Sequence, residues 1–203
     1  MIDKIKEISI LDAIDMYGED NCQSLLSSFY CPLNHDIQSF LHNKAISFAK
    51  QYLAMTFLVF ILHNDQSFLV GYYTLTNKFL SLSDTKLSKT IQKKILKFAQ
   101  FEHNSKQFFM PIPLIAQLGK NDKYSDLISG EQLLTLTCDR VKQAQKIIGG
   151  KMVYIECASN PKLHSFYSAN GFTEFGQRNG NDNVPLVQMV KYWVIKLFEG
   201  LLF

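Results

Sequence analysis

Between Pro111 and Cys157 the sequence carries four patterns in an order that few supersecondary units accommodate. An apolar run, Ile112-Pro113-Leu114-Ile115-Ala116-Gln117-Leu118, breaks into a polar turn from Gly119 to Ser129. Apolar residues then recur at helical spacing from Gly130 to Ile148, and Met152-Val153-Tyr154-Ile155-Glu156-Cys157 is a β-branched run. Strand, turn, helix and strand make a βαβ unit, and the first turn of such a unit is where phosphates are held, against the free amides of the helix start.

The flanks predict further strands and helices around that unit. Ile5 to Ile10 alternates weakly as a strand, and two helical patterns, about Leu11 to Tyr17 and Cys22 to Phe29, are separated by Gly18. Tyr30-Cys31-Pro32-Leu33-Asn34 reads as a turn, because proline disfavours helix in the residue before it. A helix is expected to open at His35-Asp36, with Ile37, Phe40, Leu41, Ala45, Phe48 and Tyr52 on one apolar face. Thr56 to Leu62 and Phe68 to Leu75 read as a hairpin joined at Asn64-Asp65-Gln66. Thr85 to Gln100 reads as a helix bearing Lys86, Lys89, Lys93, Lys94 and Lys97, either a solvated basic face or a surface for an anionic partner such as RNA. After Phe172 a polar loop from Gly176 to Asn183 leads to a last strand, Leu186 to Val194, and an apolar tail. That tail extends the strand, packs on the domain, or meets a second copy in a homodimer.

Composition narrows the class. With 203 residues, 47% hydrophobic and 19% charged, the chain suits a globular core rather than a disordered segment, and one domain over 1–203 is the simplest division. A net charge of +3 accommodates an anionic ligand without demanding nucleic acid. Cys22, Cys31, Cys138 and Cys157 form no CxxC pair and no cluster with histidine, so no zinc site is expected. No apolar run approaches the roughly 18 residues of a membrane span, and the amino terminus lacks a signal-peptide core. A cytoplasmic protein without membrane contact is the expectation.

The ending Phe166-Tyr167-Ser168-Ala169-Asn170-Gly171-Phe172 matches, without a gap, the Phe-Tyr-x-x-x-Gly-Phe pattern that follows the βαβ unit in one family. On these residues the segment resembles the GNAT N-acetyltransferase superfamily. The family's Gln/Arg-x-x-Gly-x-Gly/Ala pyrophosphate loop falls on Ser125-Asp126-Leu127-Ile128-Ser129-Gly130, where only the last glycine is kept. Phe29-Tyr30-Cys31, Asp36 and Gly71-Tyr72-Tyr73-Thr74-Leu75 are similar in kind to the toxin branch that acetylates aminoacyl-tRNA.

The resemblance implies a mixed, largely antiparallel sheet around an acyl-CoA unit, and acetyl transfer from acetyl-CoA to a primary amine. The amine would belong to a small molecule, a protein or an aminoacyl-tRNA. It implies that Leu118, Gly119 and Lys120 meet the pantetheine arm, and that Ser125, Asp126, Leu127, Ile128, Ser129, Gly130 and Glu131 surround the pyrophosphate. Asn160 would hydrogen-bond the pantetheine, and Tyr167 would give the departing thiolate its proton, a fitting role for a phenol near pKa 10. Asp126 brings a negative charge to the expected pyrophosphate, and Ile128 stands where the pattern has glycine. A non-catalytic module of the same fold, with a loop that no longer binds the cofactor, is the alternative. No general base is singled out: Glu156 and Glu102 are nearby carboxylates, and the five histidines form no triad pattern.

Overall fold

The computed structural model describes residues 4–83, 89–90, 93, 97–180 and 184–193. Its elements in chain order are β1 (Lys4–Ser9), α1 (Ile10–Tyr17), α2 (Glu19–Ser27), α3 (His35–Asn43), α4 (Ala45–Lys50), β2 (Met55–His63), β3 (Gln66–Ser83) and β4 (Gln100–Glu102). They continue with β5 (Gln107–Lys120), α5 (Gly130–Ile148), β6 (Met152–Ala158), α6 (Pro161–Ala169), β7 (Thr173–Asn179) and β8 (Pro185–Tyr192). This is a mixed α/β fold on a mostly antiparallel open sheet, as expected. Its contacts group it into two compact units, Met1–Lys78 with Pro113–Val141, and Phe79–Ile112 with Lys142–Phe203.

In the first unit β1, β2 and β3 run antiparallel, with Ile8 opposite Leu58 and Leu58 opposite Tyr72. Alternation sends neighbouring residues to opposite faces. Leu58, Leu69 and Tyr72 meet Ile10, Ala13, Leu26, Phe29 and Leu41 of the first helices. Val59, Ile61, Val70 and Tyr73 meet Ile128 and Leu133 at the start of α5. Each large side chain fully buried in this way contributes roughly 1.5–3 kcal/mol. The buried phenol of Tyr72 donates to the Ile37 carbonyl at 2.6 Å, which removes the cost of an unsatisfied hydroxyl. Tyr73 donates to Glu7, and Arg140 adds an Nε contact to the same hydroxyl at 3.4 Å. Burial and the neighbouring carboxylate push the Tyr73 phenol well above its usual range.

Local chemistry sets the element ends. Ser9 caps α1 through Asp12 N at 3.1 Å, and Gly18, at φ +82°, separates α1 from α2. Asn34 caps α3, and Asp36 places a negative charge in its first turn. The single predicted helix after His35 is two, broken at Lys44, and Tyr52 leaves the apolar face with φ +55°.

In the second unit β6 pairs antiparallel with β8, and β8 with β7 around a bulge at Phe175. Gln145 joins this unit's elements: it donates to the Met152 carbonyl and accepts from Trp193 Nε1, each at 2.6 Å. The predicted loop after Gly176 is strand as far as Asn179, and Gln100 belongs to β4 rather than to a helix. Most of the predicted lysine-bearing helix lies outside the described residues, as do 181–183 and the tail after Trp193.

Candidate acyl-CoA site

The first unit carries the segment expected to face the pyrophosphate. At the end of β5, Gly119 is buried so closely that a Cβ there would lie 2.4 Å from Ile37 Cγ2 and 3.1 Å from Tyr72 Cε1. On β3, a Cβ at Gly71 would lie 2.9 Å from the Gly119 carbonyl oxygen. Gly71 lets β3 approach the Gly119 carbonyl, and Gly119 leaves room on the sheet for Ile37 of α3.

Asn121 follows, fully buried. Its Nδ2 donates to the Leu69 carbonyl at 2.8 Å, and its Oδ1 accepts from the amides of Tyr30 at 3.3 Å and Lys123 at 3.2 Å. Its own amide donates to the Val70 carbonyl at 2.9 Å. Sequence reading missed Asn121; in a polar turn no periodicity separates a buried amide from a solvated one.

From there the chain makes a 3₁₀ turn, Asp122–Tyr124, and reaches α5. Ile128 is 2% exposed and packs with Val59, Val70 and Leu133, so its side chain belongs to the core and faces away from solvent. Ser129 and Gln132 cap α5 reciprocally: the Ser129 amide donates to Gln132 Oε1 at 2.8 Å, and the Gln132 amide to Ser129 Oγ at 3.0 Å. Gly130 and Glu131 lie between these partners at the positive end of a 19-residue helix. Ser129 and Glu131 are exposed, as are Ser125 and Asp126, while Leu118, Lys120, Leu127 and Gly130 are half-buried. The Lys120 ammonium donates to the Ser125 carbonyl at 2.9 Å, closing the loop on itself. Lys123 donates to the Ser28 carbonyl at 3.0 Å. For an anionic diphosphate this segment offers main-chain donors at a helix start, with Lys120 and Lys123 turned to the Ser125 and Ser28 carbonyls and the Asp126 carboxylate exposed in the loop. The main chain fits the group; the carboxylate works against it.

The second unit carries the other two predicted residues. Asn160 is exposed and caps α6, accepting from the Lys162 amide at 2.8 Å with Pro161 in the first turn. Tyr167 is half-buried on α6, edge-on to Phe166 and to Phe172 at ring separations of 5.0 and 5.6 Å. The motif explains itself locally. Gly171, at φ +81°, lets the chain leave the helix, and the Phe172 amide donates to the Tyr167 carbonyl at 3.0 Å. Phe172 is then buried beside the tyrosine ring.

Glu156 is a fully engaged carboxylate. Arg178 forks onto it through Nε and Nη2, each at 2.5 Å, and Tyr154 donates to it through its hydroxyl. Gln188 Nε2 donates to the Tyr154 hydroxyl at 2.7 Å. Burial first, then the Glu156 partner, push the Tyr154 phenol far above its ordinary value. Held by the Arg178 guanidinium of β7 and by Gln188 of β8, Glu156 reads as a brace of β6 to its neighbours. Glu102 is exposed and accepts from the Ser105 hydroxyl. His164 pairs with Glu174 at 2.9 Å and His42 contacts the Phe29 carbonyl at 3.0 Å.

Among the described residues no group of His, Cys, Asp and Glu could hold a metal ion, and no helix is long and apolar enough to cross a membrane. None of the four cysteines is in a disulfide; burial raises the thiol pKa of Cys22, Cys31 and Cys157. A separate cavity of about 710 Å³ opens beside β1, α1 and α2, lined by Ile8, Ala13, Met16, Tyr17, Leu25 and Phe60. None of the predicted site residues reaches it.

No protein-family model and no curated protein matches the chain. Solved structures do. AtaT complexed with acetyl-methionyl-tRNAfMet aligns at a TM-score of 0.62 and 19% identity, over 91% of this chain and 94% of that one. A mutant of KacT aligns at 0.62 and 20%, over 91% and 94%. AtaTR bound with AcCoA aligns at 0.57 and 19%, over 93% and 94%. At these identities the likeness is one of architecture: the chain has the GNAT fold of AtaT and KacT.

Proposed function

We propose that this chain is an N-acetyltransferase that takes an acetyl group from acetyl-CoA and gives it to a primary amine, its two compact units acting as one domain. The observation that carries the proposal is the start of α5. There an exposed, self-capped helix end is fixed to the core by Ile128, on a fold whose neighbour AtaTR is bound with AcCoA.

In this reading Leu118, Gly119 and Lys120 hold the pantetheine arm by main-chain contacts, as an added strand would. The segment Ser125–Glu131 holds the pyrophosphate, with Gly130 and Glu131 presenting their amides. Ile128 contributes its backbone alone, since its side chain is in the core. Asn160, the cap of α6, hydrogen-bonds the pantetheine, and Tyr167 holds a proton at Oη for the leaving group. Bound acetyl-CoA supplies an activated thioester. The amine loses its proton through water.

For the acceptor, we infer the α-amine of an aminoacyl-tRNA. The support is the acetylated aminoacyl-tRNA held by AtaT, which shares the fold over 91% of this chain. The second reading, a GNAT-fold module without cofactor, draws on the exposed Asp126 in the loop. Calorimetric titration with acetyl-CoA separates the two: saturable binding supports the enzyme, and no heat of binding supports the module. Transfer of labelled acetyl groups to charged tRNA, with uncharged tRNA and a free amino acid as controls, tests the acceptor. Label on the free amino acid alone would refute it.

A further inference from the structure

The turn after α2 and the segment leading to α5 are stitched together through one buried side chain. Asn121 Oδ1 accepts from the Tyr30 amide on one side and the Lys123 amide on the other, while Nδ2 holds the Leu69 carbonyl of β3. The Asp122 amide returns the link, donating to the Tyr30 carbonyl at 2.8 Å. Lys123 reaches the Ser28 carbonyl at 3.0 Å and lies 5.9 Å from the centre of the Tyr30 ring. The Cys31 amide is in turn fixed by Gln38 Oε1 at 2.7 Å, which carries the connection into α3.

A fully buried amide that meets three backbone groups has no freedom to release one without leaving the others unsatisfied. Each unsatisfied group costs free energy comparable to a lost hydrogen bond. The turn at Ser28–Cys31 and the residues Asn121–Lys123 therefore share these bonds, and opening either breaks bonds of the other. A serine at 121 would be too short to span the three partners.

We propose that Asn121 is a positioning residue coupling the Ser28–Cys31 turn to the α5 start, so that order imposed at one is felt at the other. The consequence for acetyl transfer rests on the cofactor reading above: a ligand held at Ser129–Glu131 tightens the Tyr30 turn before any acceptor arrives. The coupling itself concerns two segments of the free protein and is tested there first.

The test is hydrogen exchange followed by NMR on the full chain, with amides of β6 and β8 reporting global opening. Asn121→Ser should speed exchange at both Tyr30–Cys31 and Lys123–Leu127 by about tenfold, the worth of one internal hydrogen bond, with β6 and β8 unchanged. In the wild type, added CoA should slow exchange at Ser129–Glu131 and at Tyr30–Cys31; in the variant it should slow the first segment alone. Acceleration of only one segment in Asn121→Ser would overturn the coupling. So would CoA protection of Ser129–Glu131 in the wild type that leaves Tyr30 unchanged. Joint acceleration in the variant without any CoA protection in either protein would support the coupling while sinking the cofactor reading. Should Asn121→Ser not fold, native-state exchange of the wild type in low urea decides: the Tyr30 and Lys123 amides should share one opening free energy, and two different values would overturn the coupling.

Discussion

Two helices carry the proposed chemistry, and their starts are built differently. At α5 the capping pair Ser129–Gln132 stands on a deep footing: Ile128 before it, and Leu133, Leu134, Thr137, Cys138 and Val141 after it, are all buried. At α6 a single asparagine cap and Pro161 start a nine-residue helix with no buried residue, and only Phe172, beyond its end, is in a core. The first start suits a binding platform, since donors aimed at an anion are useful only if they hold still. The second suits a group that must meet a changing partner. Stability should therefore reside at α5 and chemistry at α6, and substitutions at the two should separate these properties.

The largest effect is expected at Ile128. Ile128→Gly restores the glycine of the GNAT loop pattern but empties a core position, and should cost about 4 kcal/mol, read by urea unfolding. Leu163→Ala, at a half-buried site on α6, should cost less than about 2 kcal/mol in the same assay. Equal costs would break the contrast.

Tyr167→Phe should reverse the pattern. It keeps both edge-on ring contacts and removes only the hydroxyl, so unfolding free energy should shift by under about 1 kcal/mol. Turnover, once an acceptor is in hand, should fall at least 100-fold, the lower end of what positioned acid catalysis supplies (~10²–10⁴). Near-normal turnover would remove Tyr167 from the chemistry; a matching loss of CoA affinity would make it a wall of the pocket.

A smaller change is expected at Asp126. Asp126→Gly removes an exposed like charge from the pyrophosphate segment and should tighten CoA binding by up to about tenfold, equivalent to ~1.4 kcal/mol. The gain should shrink at high salt, because the carboxylate is exposed and screened. Unchanged or weaker affinity would mean that the carboxylate points away or that CoA binds elsewhere. Smallest are the caps: Ser129→Ala and Asn160→Ala should each cost about 1 kcal/mol in urea unfolding, a difference too small to account for the contrast at Ile128.

What the sequence made legible follows from how each feature is encoded. Helix α5 was predicted at its observed bounds because its apolar period is long and Gly130 follows a polar turn. β1, α1, α2 and β2 were legible from their apolar spacing, within a residue or three at their ends, whereas the helix after His35 read as one where α3 and α4 form. β7 was not: Gly176-Gln177-Arg178-Asn179 is polar on both faces, and its strand character comes from pairing with β8. β3 runs on past Leu75 through Asn77 and Lys78, which read as loop residues. At the candidate site, the residues Gly119, Ser129 and Tyr167 were nameable from pattern. The burial of Ile128 and the role of Asn121 were not, because both depend on partners some 50–90 residues away in sequence, Leu69, Val70 and Tyr30 among them.

The central claim is that acetyl-CoA is held at the start of α5, and the most direct measurement is which backbone amides respond when CoA is titrated into ¹⁵N-labelled protein. The account predicts saturable shifts largest at Ser129, Gly130 and Glu131, with smaller ones at Leu118 and Lys120. No shifts at any concentration, or shifts centred on the cavity beside Met16, Tyr17 and Phe60, would contradict it.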